Sequence, residues 1–597
     1  MSRRVSRRTV LKTMGAAGAG LLAPSGGSSV SLARIVPLTS SSDVFIPPRG
    51  KSFMKFSFDF PEPSVQFEGL LFSFRVYTFE NTYGLDITRM TAEEKAGGLE
   101  VNCSQFVWAG NQERAPGQLH ARIRKNGSFI EWDVSAEMEK PIKSIAAIIR
   151  GVPRGEISAG AAGFFDPKDD ELLFGYPFGG GDLFIARGMD TPLVIVRSGM
   201  QEHFFISVLA ERVRASRFYF QPGEKGYRVE IVHERAGWER ENSIQSPVWR
   251  AGRAATMEGA IQPHYDHLER AFNIPNWETR EDVPTWFRKI ALVVSLHGMH
   301  WTGYIFNDYA KMLRILRWVA TQISPERVLV FLPAWDGRYY WNYPLYQPDK
   351  RLGGAERLET LIHQGRAMGF HFVPMFGANS ANRLLSVYSR FSDGGTAQID
   401  GNPYYLDWVD WDNDRHMEGW MPWMNLGVSS WRQWLSERIS DFIRRFRVDA
   451  YFLDIAGGWI NNTKADMFEG TRELVKGLAQ QFPGVLACGE MYFDALMSTI
   501  PVFQVFSDPA WPQATLKYVR AFQHLSSPAP GRGSSGVHES GFHYFDPKNL
   551  NLSPYQIPTI TVVDDTFDKY RDIMAQIILA AKQRGGLTAA TSSLLFN

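Results

Sequence analysis

The run SSWRQWLSERISDFIRRF, Ser429 to Phe446, leads straight into RVDAYFLD, Arg447 to Asp454, and together they set the architecture. In the first run, Trp431, Trp434, Leu435, Ile439, Phe442, Ile443 and Phe446 recur at three- and four-residue spacing. That spacing puts one apolar stripe on a helix, with a serine at its N-cap. Trp431 and Trp434 belong to the stripe and read as core. In the second run, Ala450–Leu453 is an unbroken apolar strand that ends on a carboxylate. A helix feeding a strand without polar alternation implies a parallel sheet covered on both faces.

The alternation continues on either side. Strands are expected at Ile290–Leu296, Val328–Leu332, His371–Phe376, Ala450–Leu453, Val485–Cys488, Val502–Phe506, Gly541–Phe545 and Thr559–Val563. Helices are expected at Asn307–Ala320, Ala355–Met368, Ala465–Phe482 and Thr566–Lys582. Eight strands in about 275 residues is the size of a (β/α)8 barrel. An open doubly wound sheet is the alternative, but no Gly-rich nucleotide loop follows any strand. Ahead of Lys289 the apolar period changes to two. Met54–Phe60, Val65–Phe79, Leu119–Arg124, Phe129–Val134, Leu193–Val196, Phe204–Leu209, Phe218–Phe220 and Tyr227–Val232 read as short strands. Asn126-Gly127 between two of them suits a type I′ hairpin turn. A helix near Met257–Phe272 follows. The fold class is therefore α/β: a (β/α)8 TIM barrel over 276–597, preceded by an antiparallel β-sandwich over 52–275.

The N-terminus reads as an address. Ser6-Arg7-Arg8-Thr9-Val10-Leu11-Lys12 precedes a weakly apolar stretch, Met14–Ala23, and Ser31-Leu32-Ala33 fits a small-x-small cleavage site. A signal peptide is expected over 1–33 and a flexible linker over 34–51. The paired arginines resemble a twin-arginine signal. That implies the twin-arginine export machinery as a partner and a bacterial periplasmic or secreted destination. No apolar run reaches the roughly 18 residues needed to span a bilayer, so no integral membrane segment is expected after signal removal.

Lys+Arg of 64 against Asp+Glu of 63 gives a net charge of +1, without the basic excess that nucleic-acid binding uses. Cys103 and Cys488 are too few for a disulfide scaffold. The unusual feature is tryptophan. Twelve of the 18 lie between Trp301 and Trp511, where an even spread would put about six.

In a barrel the chemistry sits where strands end. The first strand ends at His297-Gly298-Met299-His300-Trp301, the second at Trp335-Asp336, the third at Asn379, the fourth at Asp454 and the fifth at Glu490. The sixth is followed by Ser507-Asp508 and the eighth by Asp564-Asp565. Trp335, Trp341, Trp423, Trp459 and Tyr492 interleave with these carboxylates. Aromatic faces stack on sugar rings while carboxylates and amides bond hydroxyls, so a carbohydrate groove accounts for the tryptophan excess. Asp454 and Glu490 stand one β/α repeat apart, so they end adjacent strands about 5 Å apart, a spacing suited to the two carboxylates of a retaining glycosidase. A carboxylate after a strand is also the residue type that caps the next helix, which is the competing reading of each. The spacings of His297, His300, His538 and His543 match no compact zinc motif. Asp407, Asp410, Asp412 and Asp414 lack the central Gly of a calcium loop. No metal and no cofactor are expected.

Met424-Asn425-Leu426-Gly427, the Trp-rich helix and the run to Asp454 resemble the fourth-strand region of retaining glycoside hydrolase barrels, those of the α-amylase superfamily and the α-galactosidase-like group. The resemblance implies that Asp454 is the nucleophile. Ala487-Cys488-Gly489-Glu490 resembles the α-amylase fifth strand, which implies that Glu490 is the acid/base. Val562-Val563-Asp564-Asp565 lacks the His before Asp of that superfamily's last segment, and Phe452 stands where its arginine would be. In the α-galactosidase-like group the acid is an aspartate after the sixth strand, a place that Asp508 could fill, and a β-sandwich precedes the barrel. The expected protein is an exported retaining glycosidase acting on an oligo- or polysaccharide. Asp454 and Glu490 are its catalytic pair, and Trp301, Trp335, Asp336, Trp341, Asn379, Trp423, Asn425, Trp459, Tyr492, Asp508 and Asp564 its sugar-binding residues. An inactive carbohydrate-binding protein and a transglycosylase remain as alternatives.

Overall fold

The computed structural model describes residues 44–45, 62–95, 97–160, 163–177, 187–199, 202–300, 303–337, 340–406, 420–506, 508–509, 511–523 and 552–584. They form two compact units that divide between Ala271 and Phe272. The expected signal peptide and the strands expected at Met54–Phe60 and Gly541–Phe545 lie outside the described residues. Within the expected linker, Val44–Phe45 pairs in parallel with Pro63-Ser64.

The first unit is built on antiparallel strands in two sheets. One runs Pro63–Phe67, Leu70–Thr78, Ile142–Val152, Gly226–Glu234, Ser216–Gly223 and Leu172–Tyr176 in spatial order. The other runs Glu156–Ala159, Leu193–Arg197, His203–Leu209, Val248–Ala254, Phe129–Met138, Glu113–Asn126, Gly98–Trp108 and Met90–Lys95. Inward side chains of the two sheets meet at Phe72 and Trp132, ring centroids 5.3 Å apart, with Trp249 6.3 Å beyond. All three are fully buried. The run Val65–Phe79 is broken by a left-handed pair, Glu68 (φ 49°) and Gly69 (φ 82°), which turns it into a hairpin. At the hairpin joining Glu113–Asn126 to Phe129–Met138, Asn126 pairs with Phe129, so the turn residues are Gly127-Ser128. Gly127 alone takes a positive φ (60°), the pattern of a II′ turn rather than the expected I′.

The second unit is the barrel. Its strands are β1 (Leu292–Leu296), β2 (Val328–Leu332), β3 (His371–Gly377), β4 (Ala450–Asp454), β5 (Leu486–Glu490), β6 (Val502–Val505), β7 (Arg520–Gln523) and β8 (Thr559–Val562). They form one parallel sheet in the order β7-β6-β5-β4-β3-β2-β1-β8. The seventh strand is thus Arg520–Gln523, which Arg520 and Gln523 disguise in the sequence by bracketing two apolar residues with polar ones. Among the described residues the junction of β7 and β8 holds the parallel bridge Phe522↔Ile557, just ahead of β8, where Ile557 N donates to Ala521 O (2.8 Å), and the bond from Gln523 N to Thr559 Oγ1 (3.2 Å).

Helices α1 (Tyr309–Gln322), α2 (Gly354–Met368), α3 (Ser429–Phe446) and α4 (Met467–Gln481) follow β1 to β4 in turn. Asp308 caps α1 by accepting from Lys311 N (2.7 Å), and Asp466 caps α4 from Phe468 N (3.0 Å). The N-cap position of α3 is Val428, without a side-chain bond, so the serine cap expected there is absent. Between β5 and β6 the chain makes only a 3₁₀ turn, Asp494–Ser498. After β6 comes the short α5 (Pro512–Leu516), and the helix expected at Thr566–Lys582 is divided at Tyr570 into α6 (Thr566–Lys569) and α7 (Arg571–Gln583). Among the described residues no helix is long and apolar enough to cross a membrane.

Phe331 on β2, Phe452 on β4 and Phe522 on β7 touch one another at centroid distances of 4.7, 5.8 and 6.3 Å. Rings from three separated strands meet this way only inside the barrel, so these positions face inward. Side chains alternate along a strand, and Asp454, two residues past Phe452, therefore faces inward one layer nearer the C-terminal rim. The register carries the layer sideways. Gly377 pairs with Asp454, Leu453 pairs with Gly489 so that Asp454 and Glu490 follow side by side, and Glu490 pairs with Gln504.

Candidate active site

The rim layer Gly377–Asp454–Glu490–Gln504 joins the two carboxylates expected to act as a pair. Asp454 is 2% exposed and Glu490 is fully buried. Neither is a helix cap. The cap of α4 is Asp466, a full loop beyond Asp454, and Glu490 is followed by a 3₁₀ turn whose N-cap is Phe493. One Glu490 oxygen, Oε2, accepts from Ile455 N at 3.0 Å, which ties the glutamate to the peptide just after Asp454. Gly377 has a specific use here: a Cβ on it would lie 2.2 Å from the Tyr343 ring, so glycine lets that ring lie over β3. Burial, and next the charge of Asp454, hold the Tyr343 phenol well above its usual range. Tyr346 bonds both Gly377 N (2.8 Å) and Gly377 O (3.2 Å) through its hydroxyl. Tyr343, Tyr346 and Gln504 escape the sequence reading. Their signals are a lone amide inside the apolar strand Val502–Val505 and the tyrosine-dense run 339–346.

Asp336, beyond β2, is 1% exposed, and its Oδ2 has no hydrogen-bond partner among the described residues. Burial, with a smaller contribution from the Asp349 charge, pushes its pKa up to about 8. A carboxyl whose folded pKa is raised gives stability that is full below the unfolded pKa and is lost as pH rises through the folded one. At about 1.4 kcal/mol per pH unit, ionising Asp336 costs on the order of 5 kcal/mol. Asp336→Asn removes that cost. Its thermal midpoint is expected to exceed wild type by about 5 °C or more at pH 8.5, with the gap closing below pH 5. A gap independent of pH, read by scanning calorimetry, contradicts the assignment. Keeping a group that opposes folding is a mark of function.

The other expected sugar-binding residues divide. Trp341 is half-buried and stacks on Trp420, centroids 4.9 Å apart and planes 24° from parallel. Tyr492 is half-buried against Phe503. Asp564, half-buried, accepts from Tyr304 Oη at 2.6 Å. Trp423 and Trp459, in the loops beyond β3 and β4, are buried, with the Trp423 ring against Gly458. Three residues are placed otherwise than expected. Trp335 faces outward, its indole N–H on Met375 O (2.9 Å) and its ring against Phe376 and Phe442 of α3, so it packs strand to helix. Asn425 donates to Asn462 Oδ1 and Ala465 O (both 3.0 Å) and accepts from Gly427 N, bracing the loop that enters α3. Asn379 gives its amide to Ile455 O (2.7 Å). Asp508, the alternative acid, is exposed three residues beyond β6 and accepts from Gln556 Nε2 (2.7 Å) and Ser553 Oγ. Trp301, Ser507, His538, His543 and the aspartates Asp407, Asp410, Asp412 and Asp414 lie outside the described residues. Among the described residues no three His, Cys, Asp or Glu side chains cluster to hold a metal.

Four non-glycine residues at this rim take left-handed backbone: Ala334 (φ 51°), Ile455 (57°), Met491 (58°) and Asp564 (50°). Each stands one or two residues past its strand. Such positions cost about 1–3 kcal/mol each and persist where the surroundings over-determine them, which is typical of active sites.

No protein-family model matches the sequence, and no curated protein matches it by sequence. Solved structures do resemble its fold. The ligand-free α-N-acetylgalactosaminidase NagBb from Bifidobacterium bifidum superposes with a TM-score of 0.62 at 11% identity, covering 88% of this chain and 94% of that one. The same enzyme in complex with Gal-NHAc-DNJ gives 0.61 at 10% identity, over 87% and 93%. Its GalNAc complex gives 0.58 at 12%, over 78% and 80%. At such identity the likeness is one of fold, and the chain has the fold of a glycoside hydrolase: a parallel eight-stranded barrel with a large antiparallel sheet domain.

Proposed function

We propose that the protein is a retaining glycosidase whose catalytic pair is Asp454 and Glu490. The observation that carries the reading is their placement side by side, facing inward, at the C-terminal ends of adjacent strands, with neither serving as a cap. Asp454 attacks the anomeric carbon while Glu490 gives its proton to the departing glycosidic oxygen. The C–O bond breaks and an ester forms to Asp454. Water then adds its oxygen to the anomeric carbon while Glu490 takes a proton from that water, and the C–O bond to Asp454 breaks, which restores the configuration and frees the Asp454 carboxylate. Asp336, Trp341, Trp459, Tyr492 and Asp564 are assigned to the sugar, together with Tyr343 and Gln504.

The fold neighbours direct the choice of substrates. A panel of p-nitrophenyl glycosides headed by the α-N-acetylgalactosaminide and the α-galactoside tests the reading, with the first-formed anomer identified by NMR. Turnover with retained configuration is expected. A first product of inverted configuration, or no turnover across α- and β-glycosides and natural oligosaccharides, overturns it.

Export through the twin-arginine route is part of the same proposal and is supported by the paired arginines and weak apolar stretch of the first 33 residues. Replacing Arg7 and Arg8 by Lys is expected to hold active, folded precursor in the cytoplasm. Unchanged periplasmic yield refutes this route.

A further inference from the structure

Ile455 is the least expected of the four left-handed residues, because a β-branched side chain crowds that backbone most. Its side chain is 2% exposed, and a Cβ on Gly458 would fall 2.9 Å from Ile455 Cγ2, so packing beneath the turn pins it there. The left-handed turn at Ile455 gives its N–H, in the peptide directly after Asp454, and its C=O, in the following peptide, separate partners. The N–H points to Glu490 Oε2 at 3.0 Å. The C=O accepts from Asn379 Nδ2 at 2.7 Å and from Gly458 N at 3.0 Å. Gly457 N in turn donates to Glu490 O at 2.9 Å. A single peptide turn therefore links Asn379 beyond β3, Asp454 at the end of β4 and Glu490 at the end of β5.

We infer that Asn379, acting through the backbone of the turn at residue 455, is a positioning residue for the acid/base. Asn379 holds the Ile455 carbonyl, which orients the turn, and the turn commits one Glu490 oxygen to a backbone N–H. The bond to Ile455 N thereby orients the Glu490 carboxyl beside Asp454 for proton transfer to the glycosidic oxygen. This rests on the glycosidase reading, and it adds that acid assistance, rather than nucleophilic attack, depends on Asn379.

The experiment compares wild type, Asn379→Ala and Ile455→Gly on two aryl glycosides of the sugar that wild type accepts. One has a poor leaving group that needs a proton and the other a dinitrophenolate that does not. For Asn379→Ala, kcat/KM on the poor leaving group, which reads the acid-assisted first step, is expected to fall about 10- to 100-fold, while kcat/KM on the activated substrate stays within about threefold. Ile455→Gly keeps both amide groups and adopts the turn freely, so the ratio between the substrates is expected to match wild type even as the midpoint of unfolding drops. An equal loss on both substrates in Asn379→Ala overturns the inference, since a merely structural asparagine would slow both. If truncation to Ala unfolds the protein, Asn379→Ser carries the same comparison. The Ile455 amide supplies a readout free of activity: its hydrogen exchange is expected to quicken at least tenfold in Glu490→Ala and in Asn379→Ala. Exchange at the wild-type rate in both also overturns the inference. Quickened exchange in a protein that cleaves no glycoside leaves the positioning in place and removes the glycosidase reading instead.

Discussion

Asp454→Asn is expected to lower kcat by about 10⁴-fold or more while a sugar or iminosugar still binds with near wild-type affinity. The amide cannot displace a leaving group from the anomeric carbon and form a stable ester, so the first half-reaction stops. Its shape matches the carboxylate, so the pocket formed with Gly377 and Tyr343 persists. Steady-state kinetics combined with calorimetric titration of the ligand checks both parts. Loss of binding together with turnover would make Asp454 a sugar anchor, and retained turnover would remove it from the chemistry. The same variant separates an enzyme from an inactive sugar-binding protein, because the substitution has no rate to lower in the latter.

Glu490→Gln is expected to slow substrates with poor leaving groups by about 10²- to 10⁴-fold and activated aryl glycosides far less, because only the former need a proton in the transition state. With an activated substrate the glycosyl ester of Asp454 still forms and then waits for a base to activate water. Azide needs no base, so adding it should restore turnover and yield a glycosyl azide of the substrate's own configuration. Asp508→Asn provides the contrast. Exposed and bonded to Gln556 and Ser553, it is expected to show neither leaving-group dependence nor azide rescue. The opposite pattern transfers the acid to Asp508 and leaves Asp454 as nucleophile.

What could be read from the sequence depended on how local the cause was. Helix α3 and strand β4 declare themselves because stripe and strand are contiguous. The ends of β2, β3, β4, β5 and β8 follow to within a residue or two from their unbroken apolar runs. β7 stays hidden: its apolar centre is two residues long, and it is a strand because β6 pairs with it along Val502–Val505. The hairpin at residue 127 shows a finer limit, since the dipeptide announces a turn but strand register selects which two residues make it. At the site, Asp454 and Glu490 are legible because strand ends in a barrel converge by construction. Trp335 and Asn425 are not, because the direction in which a rim side chain turns is decided by partners far along the chain, Phe442 for the first and Asn462 for the second. Tyr343 lies over β3 because Gly377, thirty-odd residues later, leaves room for its ring.

The narrow junction between β7 and β8 makes the barrel a sheet fastened by a clasp. Seven of its eight strand-to-strand contacts are ladders, whereas the eighth is the bridge at Phe522 and Ile557 among the described residues. Sub-global opening begins where the fewest hydrogen bonds must break, and such openings carry lower free energies than global unfolding. The backbone amides of Gln523 and Ile557 are therefore expected to exchange faster than those of β1 to β4, each followed by a long helix, a difference that hydrogen exchange reads directly. Asp454 and Glu490 lie on the far side of the ring from this clasp, between β3 and β6. The barrel can breathe at its seam while the carboxylate pair keeps its spacing.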